Sequence, residues 1–305
     1  MMKLRVMASA ASVAGAIMLL AGVGSAHGDD PLTRPIAPES AKRWLGPQVP
    51  TRIYGNSYLV GFADLNVALI RTSAGLVLID AGVPQGVAAV EANIRRLGFR
   101  VKDVKYILST EPHFDHAGGL AALARDSGAT VVASVAAAAA LRRGTIGPDD
   151  PQFGLVVDFP GVTRVRAVAD GEKLTLGNTV ITAIATPGHT AGSMSWTWRS
   201  CERRKCLNMV FGSSLNPASA DDYRYTDPAH AFVIAGFRRS FAVMRKLPCD
   251  ILFSAHPSQS GGDEKFTALR KRPVPNPFID RGACRTVATK FETLLNARIA
   301  KEGVR

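Results

Sequence analysis

From about residue 50 the chain alternates short apolar runs with turn-forming residues. The stretches "RIYGNSYLVG", "LNVALIRT" and "GLVLIDAG" within residues 52–82 read as strands separated by turn signals. "PQGVAAVEANIRRLGF" reads as a helix, with Pro84 near its start and Gly98 at its end. A buried strand "VKYILST" follows, then a helix from about His116 to Ser127, the strand "ATVVAS" and the alanine-rich helical segment 135–143. Strand and turn signals return from residue 163 in "TRVRAVADGEKLTLGNTVITAIATPGHT", "GSMSWTW" and "CLNMVFGSSL". The segment "PAHAFVIAGFRRSFAVMRKL" reads as a helix, "DILFSAH" as a strand and residues 286–302 as a terminal helix. Strands with a few helices occur in the first half, and a similar order recurs in the second. Two sheets packed face to face, with helices outside, satisfy that order.

Composition narrows the picture. A chain of 305 residues with 47% apolar content is long enough for one large α/β domain or two medium ones. Residues 1–26 stand apart: Lys3 and Arg5, an apolar run, then small residues ending in Gly24-Ser25-Ala26. That is the pattern of a cleaved secretory signal peptide; a membrane anchor is the rival reading, and the Gly and Ser interruptions and the small-residue site favour export with cleavage. No later apolar run is long enough to span a bilayer. The formal charge of +12 falls by Lys3 and Arg5 to +10 once that leader is removed. The basic residues are scattered, with short clusters at Arg203–Lys205 and Arg270–Arg272, and no nucleic-acid motif is present. An even number of cysteines in an exported chain suits disulfides. Three pairings of Cys201, Cys206, Cys249 and Cys284 are open. Cys201 and Cys206 flank a short turn between strand-like runs, which suits a local bridge and would leave Cys249 with Cys284. The spacings fit no zinc ribbon.

The chemistry concentrates where strands run out. "LVLIDAG" ends in Asp80, and "YILSTEPHFDH" ends in Glu111, His113, Asp115 and His116. "ITAIATPGHTAGS" carries His189, and "DILFSAHPS" carries His256. Side chains on loops at the ends of adjacent strands can converge on one point. A lone loop histidine is usually a surface or structural residue, and Asp80 alone would read as a turn residue. The cluster of His113, Asp115 and His116 beside Glu111 is different, because packing carboxylates together is costly unless a cation neutralises them. The loop "GPDDPQFG", 147–154, is expected to border the same cleft.

Taken together, "LIDAG", "HFDHAGG", "TPGHTAGS" and "SAH" resemble the metallo-β-lactamase superfamily across residues 50–260. The resemblance implies an αβ/βα sandwich and a site for two zinc ions (Zn2+). Residues 27–305 would form a single metallo-hydrolase domain. Carried onto this chain, one zinc would be held by Glu111, His113 and His189, and the other by Asp115, His116 and His256. Asp80 would orient a ligand histidine. Zinc accepts imidazole nitrogen and carboxylate oxygen at similar distances, about 2.0–2.2 Å, so a glutamate is a competent ligand. The family's usual first motif is H-x-H-x-D-H, and Glu111 stands where its first histidine would be. The extra negative charge implies a weaker Lewis acid at that ion.

Members that cleave thioesters or phosphoesters commonly carry an aspartate bridging both metals. The corresponding stretch here is "VFGSSLNP", which has none. That departure resembles subclass B3 of the metallo-β-lactamases, as does the glutamate variant of the first ligand. Cys249 and Cys284 match where such enzymes carry a disulfide. The resemblance implies hydrolysis of a β-lactam ring. The leader places the expected enzyme in the periplasm with no membrane partner once it is removed, the scattered basic residues give no nucleic-acid partner, and a monomer is expected. Asp115 would be the catalytic carboxylate, with Ser214 and Asn216 holding the substrate carboxylate. An exported lactonase or phosphodiesterase, or a non-catalytic zinc protein, are the rivals.

Overall fold

A computed structural model describes residues 30–303. The leader reading of residues 1–26 falls outside the described residues. Two sheets are stacked with helices on both outer faces. The first sheet has the order β1 (Thr51–Tyr54), β2 (Ser57–Leu59), β3 (Ala68–Thr72), β4 (Gly75–Ile79), β5 (Val104–Leu108), β6 (Thr130–Ser134) and β7 (Val165–Val168). Strands β1 to β4 pair antiparallel, and β4 to β7 pair parallel. The second sheet runs β8 (Lys173–Leu176), β9 (Thr179–Ala185), β10 (Met194–Glu202), β11 (Lys205–Gly212) and β12 (Ile251–Ser254), and only its β11–β12 pair is parallel.

The unbroken apolar runs have a direct cause, because each central strand is covered on both faces. In β4, Leu76 and Leu78 point to one side and Val77 and Ile79 to the other. The first pair packs under α2 (Val87–Arg96), α4 (Leu120–Ser127) and α5 (Val135–Arg143), against Val90, Ile94, Leu123 and Leu141. The second pair enters the layer between the sheets, with Ile70, Leu108, Val132, Trp196, Met209, Phe211 and Phe253. Trp196 is fully buried there, and its indole N–H donates to the Ser109 carbonyl across the sandwich at 3.2 Å. Truncating such a side chain to alanine costs about 3–5 kcal/mol. On the outer face of the second sheet, Val210 and Leu252 pack against Phe237, Phe241 and Met244 of α6 (Ala231–Lys246). Val287, Ala288 and Phe291 of α8 (Ala283–Gly303) complete that layer. The αβ/βα sandwich read from the sequence is the observed architecture.

Local differences have physical reasons. The helix expected over 116–127 is two pieces, α3 (Phe114–Ala117) and α4, broken at Gly118-Gly119. A Cβ on Gly118 would sit 2.5 Å from both the Phe114 carbonyl and the Pro84 ring, and one on Gly119 would sit 2.5 Å from the Ala81 carbonyl. The glycine pair lets the loop after β5 press onto the loop after β4. Two further helices, α1 (Pro38–Trp44) and α7 (Gly262–Lys271), were not expected; α1 buries no residue, and α7 buries only Gly262 and Phe266. Cys201–Cys206 bridges paired positions of β10 and β11, and Cys249–Cys284 ties the approach to β12 to α8. Among the described residues no helix is long and apolar enough to cross a membrane.

Candidate metal centre

Strands β4 and β5 run parallel in one sheet. In the other, β9, β11 and β12 share one direction. The polar residues singled out at strand ends therefore gather at one rim of the sandwich. Asp80 follows β4, and Glu111 to His116 follow β5. His189 follows β9, Ser214 and Asn216 follow β11, and His256 follows β12. The "PGHT" turn that presents His189 needs its glycine. Gly188 has φ +137°, and a Cβ there would lie 2.5 Å from the Phe237 ring of α6.

Two groups of metal-competent side chains result: Glu111, His113 and His189 in one, and Asp115, His116 and His256 in the other, each with its donor atoms within 4.8 Å of one another. His256 Nε2 lies 3.2 Å from His116 Nε2 and 3.3 Å from Asp115 Oδ2. His116 Nε2 is 3.5 Å from Asp115 Oδ2. Glu111 Oε1 is fully buried, has no hydrogen-bond partner, and lies 3.2 Å from His116 Nε2 and 3.6 Å from His189 Nε2. Donors held tetrahedrally at about 2.0–2.1 Å from a shared ion stand about 3.3 Å apart. The spacing and the orphaned carboxylate oxygen both fit bound cations. Glu111 reaches toward both groups and not toward one alone.

The outward-facing atoms support the same reading. His189 Nδ1 donates to the Asn216 carbonyl at 2.8 Å, and His256 Nδ1 donates to the Asp64 carbonyl at 3.1 Å. His116 Nδ1 faces Asp80 Oδ2 at 3.4 Å, and His113 Nε2 faces both Asp150 oxygens at 3.1 and 3.2 Å. Each imidazole thus gives one nitrogen to an acceptor and keeps the other for the centre, as metal-ligating histidines do. Glu111 follows the same rule, with Oε2 accepting from the Ser214 N–H at 2.9 Å. Asp80 is held in turn by the Thr110 N–H at 2.8 Å and the Thr110 hydroxyl at 2.7 Å. It adopts φ +62°, a left-handed conformation that Asp tolerates better than most residues.

Charge is balanced internally. Burial pushes the Glu111 carboxyl up, but His116, His189 and His113, with Ser214 beside them, outweigh it and hold it down at about 2. Burial also opposes ionisation of Asp115, yet His116 and His256 leave it well below the ordinary carboxylate range. Burial lowers His116, but Asp115, Glu111 and Asp80 overcome that and raise it to about 10. His189 is lowered, chiefly by burial.

The centre opens into a cleft of about 920 Å³. Ile36, Trp44, Leu155 and Val156 give it apolar lining. Asn216, Gln259 and Lys290 line it near His256. Of the two residues read as substrate contacts, Asn216 faces this cleft. Ser214 lies beneath Glu111 instead, with no exposure and with its hydroxyl unpartnered. The 147–154 loop does border the cleft, through Gln152. The Gln152 amide nitrogen lies 3.4 Å from His113 Nδ1 and 3.1 Å from His189 Nε2, which marks those two nitrogens as facing one point. Residue-type reasoning passed over Asp150 and Gln152, since "PDDPQ" reads as turn chemistry and nothing in it points to His113.

The sequence profile of the metallo-β-lactamase superfamily matches residues 60–202. Among solved structures, a B3 metallo-β-lactamase with an active-site glutamic acid is 53% identical, with TM-score 0.84, covering 90% of this chain and 99% of that one. The Rm3 metallo-β-lactamase is 41% identical, with TM-score 0.85, covering 88% of this chain and 100% of that one. A hydroxyacylglutathione hydrolase of Brucella anthropi is 33% identical over 109 residues, which is 36% of this chain and 33% of that protein. The chain thus matches only about a third of that curated relative's length.

Proposed function

The chain belongs to the metallo-β-lactamase superfamily, and on that premise we propose that it is a two-zinc hydrolase that opens the strained cyclic amide of β-lactams. The observation that carries this reading is the pairing of two donor groups with a buried glutamate in the first. A B3 metallo-β-lactamase described by its active-site glutamic acid is similar over 99% of its length. Glu111, His113 and His189 would hold one ion, and Asp115, His116 and His256 the other. When bound, a zinc pair supplies a potent nucleophile from water at neutral pH and polarises the substrate carbonyl.

The chain's own residues do the rest. Asp115 lines the cleft and retains some exposure, so its carboxylate can orient the attacking water. Glu111 adds a negative charge, weakening the Lewis acidity of its ion. Asn216 accepts from the Gln259 amide at 3.3 Å, which leaves its own N–H groups to donate to a substrate carboxylate. Ser214 supports Glu111 from below through its backbone N–H, and its own side chain has no exposure to the cleft. We place the enzyme in the periplasm as a monomer that acts after removal of residues 1–26. The leader pattern and two disulfides support export.

The test is turnover of a chromogenic cephalosporin and a carbapenem by zinc-loaded protein, with and without chelator, beside a lactone, a phosphodiester and a glutathione thioester. Chelator-sensitive β-lactam hydrolysis with two zinc ions per chain is the expected result. Hydrolysis confined to one of the other substrates, or zinc binding without any turnover, would overturn it.

A further inference from the structure

Four imidazoles point one nitrogen at the centre, and their four outer acceptors form a pattern. In the second group, His116 is matched by a carboxylate, Asp80, and His256 by a backbone carbonyl, that of Asp64. In the first group His189 is matched by a backbone carbonyl, that of Asn216, and His113 by Asp150. We propose that Asp150 is the positioning residue of the Glu111–His113–His189 group, the counterpart of Asp80 in the other. Its carboxylate accepts a hydrogen bond from the His113 Nε2–H, which keeps the proton on Nε2, fixes the tautomer with Nδ1 unprotonated, and aims that lone pair at the point shared with His189.

Asp150 is built for this task. Its side chain is 7% exposed, although a carboxylate is costly to bury without partners. Both oxygens are committed to His113, and Oδ1 also accepts from the Gln152 N–H at 2.9 Å. Its own N–H is bonded to the Gly147 carbonyl at 3.0 Å. The next residue anchors the loop, with the Pro151 carbonyl accepting from Ala220 N–H at 2.8 Å. The same loop carries Gln152 into the cleft, so one short segment both orients a donor and shapes the wall.

The inference rests on the metal reading above, and its test separates the two. Zinc affinity and stoichiometry are measured by competition with a chromophoric chelator for wild type, Asp150→Ala, Asp150→Asn and the exposed control Asp149→Asn. Unfolding of the metal-free proteins is followed in parallel. Asp150→Ala is expected to weaken one of the two ions about 10–100-fold and leave the other unchanged, as loss of such an outer partner does. Asp150→Asn keeps an acceptor but loses the charge, and should fall between Asp150→Ala and wild type; it also decides the matter if the alanine variant does not fold. Asp149→Asn should bind both ions as wild type does. Two ions bound at wild-type affinity in the Asp150 variants, even with a lowered Tm, would reduce Asp150 to a loop anchor and overturn the proposal. Failure of wild type to bind any ion would remove the metal reading itself.

Discussion

The two donor groups share a chemistry and differ in their access to water. Glu111, His113 and His189 are all buried, and Glu111 has no exposure at all. In the second group only His116 is buried, while the Asp115 and His256 side chains are 16% and 22% exposed. Each group has one carboxylate and two imidazoles, and each has one imidazole matched by a carboxylate and one by a carbonyl. The first group is therefore the closed floor of the cleft and the second its open wall. A carboxylate in the closed group is a charge that must be compensated locally. One in the open group can also be reached by water.

Removing each group's carboxylate should break that comparison most visibly. Asp115→Ala is expected to lower kcat by about 10²-fold or more, the order for misplacing a reacting group. Glu111→Ala takes the nearest carboxylate from His116 and His189, and should release one zinc while the second group keeps its own. Metal counts with steady-state kinetics check both, and a Glu111→Ala protein with full metal and full activity would contradict the assignment.

Titration separates the groups next. In the metal-free protein His116 is raised from 6.5 to about 10, so its stabilising effect is complete below about pH 6.5 and lost as pH rises toward 10. Glu111 is depressed from 4.5 to about 2, so its contribution is present above about pH 4.5 and lost as pH falls toward 2. The metal-free Tm should decline on both sides of a plateau near pH 5–6, by on the order of 5 °C on the alkaline side. Zinc takes the place of the His116 proton, so the alkaline decline should vanish in the loaded protein. Tm against pH, with zinc and with chelator, measures this.

A smaller effect is expected from Cys249–Cys284, which closes 35 residues around the strand that delivers His256. Chain entropy alone gives about 3–4 kcal/mol for a loop of that length. Replacing both cysteines by alanine should lower stability by that order and loosen the open group before the closed one, seen as a lower denaturation midpoint with the Glu111-group ion retained longest. The smallest effect belongs to Ser214→Ala. The bond to Glu111 comes from the backbone and survives, and the hydroxyl removed has no partner. Stability should change little or rise slightly. KM for a β-lactam should stay within about twofold, the span of a change near 0.4 kcal/mol. A large rise in KM would restore Ser214 as a substrate contact.

Both sheets, the main helices and the six donors were legible because strands covered on both faces leave unbroken apolar runs, and because the donors are unusual residues at the ends of those runs. Gly118 and Gly119 were visible as residues but not as a helix break, since the clash they avoid comes from Pro84 and Ala81. Helix α7 escaped notice because it buries so little. Asp150 escaped because its partner, His113, is 37 positions away.

The sequence by itself determined which side chains could bind a cation and where strands would end, since both depend on residue type and short-range pattern. Only the tertiary structure decided the outer partners of the four imidazoles, the burial of Ser214 beneath Glu111, and the reach of Glu111 toward both groups. Those features depend on how loops from two sheets meet at one rim, and hydrogen bonds between atoms so far apart in the chain leave no local trace.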